Sequence, residues 1–88
     1  MKKLSVIVKS RMGLHARPAS MLVSLAQQFE SDIKVEKGEK VVNCKSIIGI
    51  LSIAAKNGDK ISVSAEGADE ISAINALDEL FNNRLAAE

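Results

Sequence analysis

The sequence predicts an α+β fold of two layers, a four-stranded sheet with helices over one face, in the order β-α-β-β-α-β-α. Three observations carry this. The apolar period switches repeatedly between two and about 3.6 residues. Each strand-like run is apolar on one side only, so a covering layer is needed. The chain has 88 residues, enough for one domain with a single two-layer core.

In the first run Leu4, Val6 and Val8 alternate with Ser5 and Ile7, which predicts a strand with the first three inward. A polar stretch with Gly13 follows. From Ala16 onward Ala19, Leu22, Val23 and Ala26 recur at helical spacing, and Leu25 and Phe29 widen the stripe. Pro18, the only proline, suits the first turn of that helix, where a missing N–H leaves no intrahelical bond unmade. Ile33 and Val35 alternate with Asp32, Lys34 and Glu36 in a second strand. Lys37-Gly38-Glu39-Lys40 then makes a tight hairpin, with Gly38 free to take positive φ. Val42 and Cys44 are expected inward on the third strand.

Ile47-Ile48-Gly49-Ile50-Leu51, preceded by Ser46, reads as a short helix, although periodicity alone does not separate it from a strand. Asn57-Gly58 marks a turn. Ile61, Val63 and Ala65 alternate with Ser62, Ser64 and Glu66 in a fourth strand, closed by Gly67. Asp69-Glu70 place negative charge at the positive end of a last helix. Its stripe is Ile74, Leu77, Leu80 and Phe81, and it is expected to fray near Arg84. Lys and Glu at the alternate strand positions leave the other sheet face to solvent.

Composition removes several functions. Twelve Lys+Arg against 11 Asp+Glu give a net charge of +1, no electrostatic footprint for nucleic acid, and two Phe build no base-stacking platform. One Cys forms no internal disulfide, and with one His it assembles no structural zinc site. Glycines at 13, 38, 49, 58 and 67 make neither GxG nor GxxG, which excludes the dinucleotide fingerprint and the KH loop. Met1-Lys2-Lys3 resembles the start of a signal peptide, but the apolar stretch Leu4–Val8 is too short to serve as one, and Ile47–Ala55 falls far short of a membrane span. A soluble, cytoplasmic protein is expected.

What remains is Gly13-Leu14-His15-Ala16-Arg17-Pro18. His15 falls at or next to a helix N-cap, where first-turn N–H groups lack partners and the dipole is positive. That setting favours the neutral, nucleophilic imidazole, and a phosphoryl group taken by the ring would land where negative charge is stabilised. Arg17 adds a guanidinium able to fork onto phosphate oxygens. The bland alternatives are a capping or surface histidine, a solvated arginine and a proline chosen for its φ. Spacing alone leaves the reaction unnamed, and a small-molecule-binding or oligomerisation domain without phosphoryl chemistry stands as the competing class.

Ser46 is a second candidate. As an N-cap it is worth about 1 kcal/mol to the following helix, and physics alone backs that role. Phosphorylation is the alternative, since a phosphoserine is well placed at a helix start. Ile47, Ile48 and Leu51 form either part of the core or an exposed apolar docking patch, rimmed by Arg17, Lys45 and Lys56, for an acidic partner. Cys44 reads as a small buried hydrophobe.

Gly13-Leu14-His15-Ala16-Arg17-Pro18-Ala19 resembles the active-site signature of the HPr family, the histidine-containing phosphocarriers of the bacterial sugar phosphotransferase system. Val42-Asn43-Cys44-Lys45-Ser46-Ile47-Ile48-Gly49 resembles that family's serine-site segment, with Ile48 where many kinase-regulated members carry Met. The similarity spans residues 1–88 as a single domain. It implies an open-faced β-sandwich with an antiparallel sheet in the order 1-4-2-3. It implies that His15 accepts phosphate on Nδ1 from phosphorylated enzyme I and passes it to a histidine of enzyme IIA, with Arg17 assisting both transfers. Ser46 matches the serine that an HPr kinase/phosphorylase modifies in many members, whose modified form binds a catabolite-control transcription factor. The resemblance implies a monomeric relay protein, not an enzyme, with no cofactor, metal, nucleic acid or membrane insertion.

Overall fold

The computed structural model describes residues 1–88. Its elements are β1 (Lys2–Ile7), α1 (Ala16–Ala26), β2 (Asp32–Lys37), β3 (Lys40–Asn43), α2 (Ile47–Ser52), β4 (Lys60–Glu66) and α3 (Glu70–Glu79). The strands form one sheet in the order β1-β4-β2-β3, every neighbouring pair antiparallel. This is the open-faced sandwich that the resemblance implied. No helix is long and apolar enough to cross a membrane.

The strand alternation appears directly in the register. Leu4, Val63, Val35 and Val42 lie side by side across the sheet on its covered face. The adjacent row, Ser5, Ser62, Glu36 and Val41, faces the open side. β4 occupies a central position because its inward residues Ile61, Val63 and Ala65 are all buried. Ala19, Leu22, Val23 and Ala26 of α1 meet Ala73 and Leu77 of α3 and the sheet in one apolar cluster. Ile33 and Val35 supply its floor, while Leu4, Leu25, Phe29 and Ile74 lie half-buried at its margin.

Two expectations are corrected. Cys44 is buried, but β3 ends at Asn43; the Cys44 N–H still donates to Ile33 O at 2.8 Å and prolongs the pairing by one bond. The last helix does not fray near Arg84. It widens into a π-helical turn, Leu80–Arg84, and tightens into a 3₁₀ turn, Leu85–Ala87. Leu80, Phe81 and Leu85 are all buried there, so apolar packing holds the altered winding.

Asp69 and Glu70 stand at the start of α3 as expected, Asp69 at its N-cap and Glu70 in its first turn. The Asp69 side chain makes no capping bond. The carboxylate instead accepts from Glu30 N–H at 2.8 Å, Ser31 N–H at 2.9 Å and the Ser31 hydroxyl, tying the α1–β2 connection to the start of α3. Glu70, the other acid of the pair, receives the Gly67 N–H at 3.2 Å.

Candidate functional site

The loop from β1 to α1 delivers His15 to the N-cap of α1, with extended backbone at φ −87° and ψ −165°. Its carbonyl accepts the first intrahelical bond, from Ala19 N–H at 2.8 Å. Its imidazole is exposed and makes no capping bond, so the side chain is spent on nothing structural. Pro18 is buried on the first turn and contributes no N–H, which leaves the donors at the helix mouth to Ala16 and Arg17. The N-cap placement is as the sequence led us to expect.

Gly13 makes the close approach possible. With φ at +76°, a Cβ there would stand 2.2 Å from Ala55 O. The Leu14 N–H donates to that same oxygen at 2.9 Å and its side chain is buried. Above this contact lies a shallow hollow of about 330 Å³, lined by Met12, Leu14, His15, Leu51, Ala54, Ala55 and Lys56. Ala54, with φ at +51°, is the one non-glycine residue with positive φ, and the sequence carried no signal for it.

Arg17 lies two residues along the first turn, its side chain 77% exposed. Its Nε pairs with Glu88 Oε1 at 2.9 Å. Sequence reasoning missed Glu88, which lies 71 positions away from Arg17, past the π-helical turn Leu80–Arg84 and the 3₁₀ turn Leu85–Ala87. The pair engages Nε, so the terminal amines of the guanidinium still present a fork.

Ser46 caps α2, its Oγ accepting from Gly49 N–H at 3.1 Å. This is the role physics alone backed. Of α2 itself only Ile50 is buried; Ile47, Ile48 and Leu51 are exposed at 39%, 78% and 42%. With exposed Met12 they make an apolar surface, and Leu51 joins it to the hollow beside His15. The expected rim holds in part: Lys56 lines the hollow, but Lys45 turns inward, donating from Nζ to Phe29 O at 2.7 Å. Burial pushes the Cys44 thiol up to about 12, against a smaller opposing pull from Lys45, which fits an inert core residue. No cluster of His, Cys, Asp and Glu is arranged to hold a metal.

Residues 2–83 match the family model described as the PTS HPr component phosphorylation site. The chain is 39% identical over 84 residues to the phosphocarrier protein HPr of Treponema pallidum, covering 96% of each. The crystal structure of HPr from Thermoanaerobacter tengcongensis superposes with a TM-score of 0.95 at 45% identity, over 100% of this chain and 99% of that one. Crh, a catabolite-repression protein of Bacillus subtilis solved as an intertwined dimer with a swapped domain, gives a TM-score of 0.77 at 38% identity, over 97% and 98%. Fold and similarity define the class: small phosphocarriers, which relay a group within a phosphotransferase system and are not catalysts. The chain belongs to the HPr family of that system.

Proposed function

We propose that His15 is the phosphoryl acceptor of this carrier. The lone pair on Nδ1 of the imidazole attacks the phosphorus of phosphorylated enzyme I; the new N–P bond forms as the donor's bond to phosphorus breaks. The group then passes in the same way to a histidine of enzyme IIA, which restores the free ring. The observation that supports this reading best is the exposed, uncommitted imidazole at the open mouth of α1. Arg17 meets the phosphate oxygens, and first-turn N–H groups favour the added charge without enclosing it. Such a relay relies on positioning by each partner rather than on chemistry performed by the carrier.

Ile47, Ile48 and Leu51, with the hollow beside them, form the surface on which enzyme I and enzyme IIA dock in turn. Modest contact area suits partners that must exchange. Ser46 is the regulatory position, modified by an HPr kinase/phosphorylase and then read by a catabolite-control transcription factor. The working unit is the monomeric domain 1–88, acting in the cytoplasm in the sugar branch of the system.

Incubation with phosphoenolpyruvate and enzyme I tests the central step. The expected product is an acid-labile, base-stable phosphate on the protein, lost in His15→Ala. No label on wild-type protein with an active enzyme I overturns it. Kinase-dependent label on Ser46 with none on His15 would instead mark a regulatory adaptor.

A further inference from the structure

The loop that carries His15 is held by the turn opposite, residues 55–59. At the strand end Val8 N–H donates to Asp59 O at 2.8 Å, and Val8 O accepts from Gly58 N–H at 2.8 Å. At the helix end Leu14 N–H donates to Ala55 O at 2.9 Å. Between these anchors one side chain reaches across. Asn57 Nδ2 donates to Lys9 O at 3.2 Å and to Ser10 O at 3.1 Å. Buried Ser10 carries the connection onward, accepting Gly13 N–H at its carbonyl at 3.0 Å and donating its hydroxyl to Gly13 O at 2.8 Å. The turn is itself braced, since the Asp59 carboxylate accepts from Lys56 N–H at 2.8 Å and from Lys37 Nζ at 3.0 Å.

The geometry points to Asn57 as a positioning residue for phosphoryl transfer, its carboxamide fixing residues 9–13 and through them the N-cap geometry of His15. The inference rests on His15 being the acceptor. Its chemical content is specific. Two carbonyl oxygens face the Asn57 side chain, so the group there must donate. A carboxylate of the same size would set an acceptor against two acceptors. Asn57 is exposed, so water replaces a lost bond at little cost to folding, but water does not fix the path of the chain. In-line transfer is sensitive to displacements of roughly 1 Å. The apolar docking residues on α2 have no bond to Asn57, so partner binding is separable from the step it positions.

The test measures transfer from phosphorylated enzyme I across a range of carrier concentrations, separating kcat from KM. Asn57→Asp is expected to lower kcat by about three- to tenfold, the scale of one or two lost neutral hydrogen bonds, with KM within about twofold. Asn57→Gln, which keeps the donor, restores most of the rate. Ser31→Ala, which loosens Asp69 at the far end of β4, serves as a folding control and keeps kcat. Amide exchange at Gly13 and Leu14 gives a readout independent of activity and is expected to quicken in Asn57→Asp. Wild-type kcat or unaltered exchange in folded Asn57→Asp overturns the inference, as does a defect confined to KM. Failure of the wild-type protein to accept phosphate overturns the His15 reading instead, so the two failures are distinct.

Discussion

Gly13→Ala places the largest local demand on the structure for the smallest chemical change. At φ +76° an L side chain is strained, by about 1–2 kcal/mol. The new Cβ would also stand 2.2 Å from Ala55 O and 2.8 Å from Lys56 Cα, both backbone atoms that no rotamer change can move. The loop must therefore lift, and the bond from Leu14 N–H to Ala55 O is lost or stretched, at about 0.5–1.5 kcal/mol. Reduced freedom of the unfolded chain offsets about 0.5–1 kcal/mol. The expected net loss is about 2 kcal/mol, which for a domain of this size lowers Tm by roughly 10–15 °C. Gly38→Ala isolates the steric part, because Gly38 has φ +60° and no heavy atom within 4 Å of its hypothetical Cβ. Only the backbone strain remains there, and the loss should stay near or below about 1 kcal/mol. Urea unfolding followed by far-UV circular dichroism suits a chain with no Trp and no Tyr. Equal destabilisation of the two variants, or a Gly13→Ala midpoint matching wild type, refutes the close approach of the two loops.

Asp69 is held below the usual carboxylate range by the Ser31 hydroxyl first and the Glu30 N–H next. A lowered folded pKa contributes stability above the unfolded value and loses it as pH falls through the folded one, hence below about pH 4. Wild-type stability should drop more steeply there than that of Asp69→Asn, and parallel pH profiles would remove Asp69 from the explanation. Ser46→Ala should cost about 1 kcal/mol through the lost cap, while Ser46→Asp keeps an acceptor for Gly49 N–H; equal urea midpoints for Ser46→Ala and wild type would show the cap idle. With its thiol raised to about 12, Cys44 should resist iodoacetamide at pH 8 until the protein is unfolded, and rapid alkylation of folded protein would contradict its burial. Ala54→Gly relieves a residue at φ +51° and should stabilise by about 1 kcal/mol; a lower thermal midpoint would argue against the left-handed turn.

The strands and α1 were legible because burial there follows a simple period: one face of each strand and one stripe of α1 enter a single core. Even the N-cap position of His15 follows from local rules. The short α2 resisted, since Ile47, Ile48, Ile50 and Leu51 are apolar on all sides and six residues span too few turns to define a stripe. Only packing decides that Ile50 goes in while Ile48 stays out. Lys45 and Glu88 were illegible for another reason: their partners, Phe29 O and Arg17, are set by tertiary geometry and leave no local mark. Asn57 lies between. Asn57-Gly58 declared a turn, but not that the amide of that turn would serve a loop 47 and 48 positions away.

The division between rigid and loose parts bears on how a relay can work. The backbone of the His15 loop is fixed on both sides by buried or paired groups: Leu14 in the core, Gly13 against Ala55 and Val8 in register with the 58–59 turn. The groups assigned to the phosphate are instead solvent-facing. An exposed ion pair such as Arg17–Glu88 contributes on the order of 0–1 kcal/mol and weakens further with salt. On the reading proposed above, turning the Arg17 guanidinium toward a phosphoryl oxygen is thus a small step whether or not Nε leaves Glu88, and turning back after transfer is equally small. A deep, fully desolvated anion site would bind the phosphoryl group more tightly and release it more slowly to the next protein. For a ring that accepts phosphate as proposed, placing the rigidity in the backbone and the weakness in the charge contacts would aim it without trapping the group.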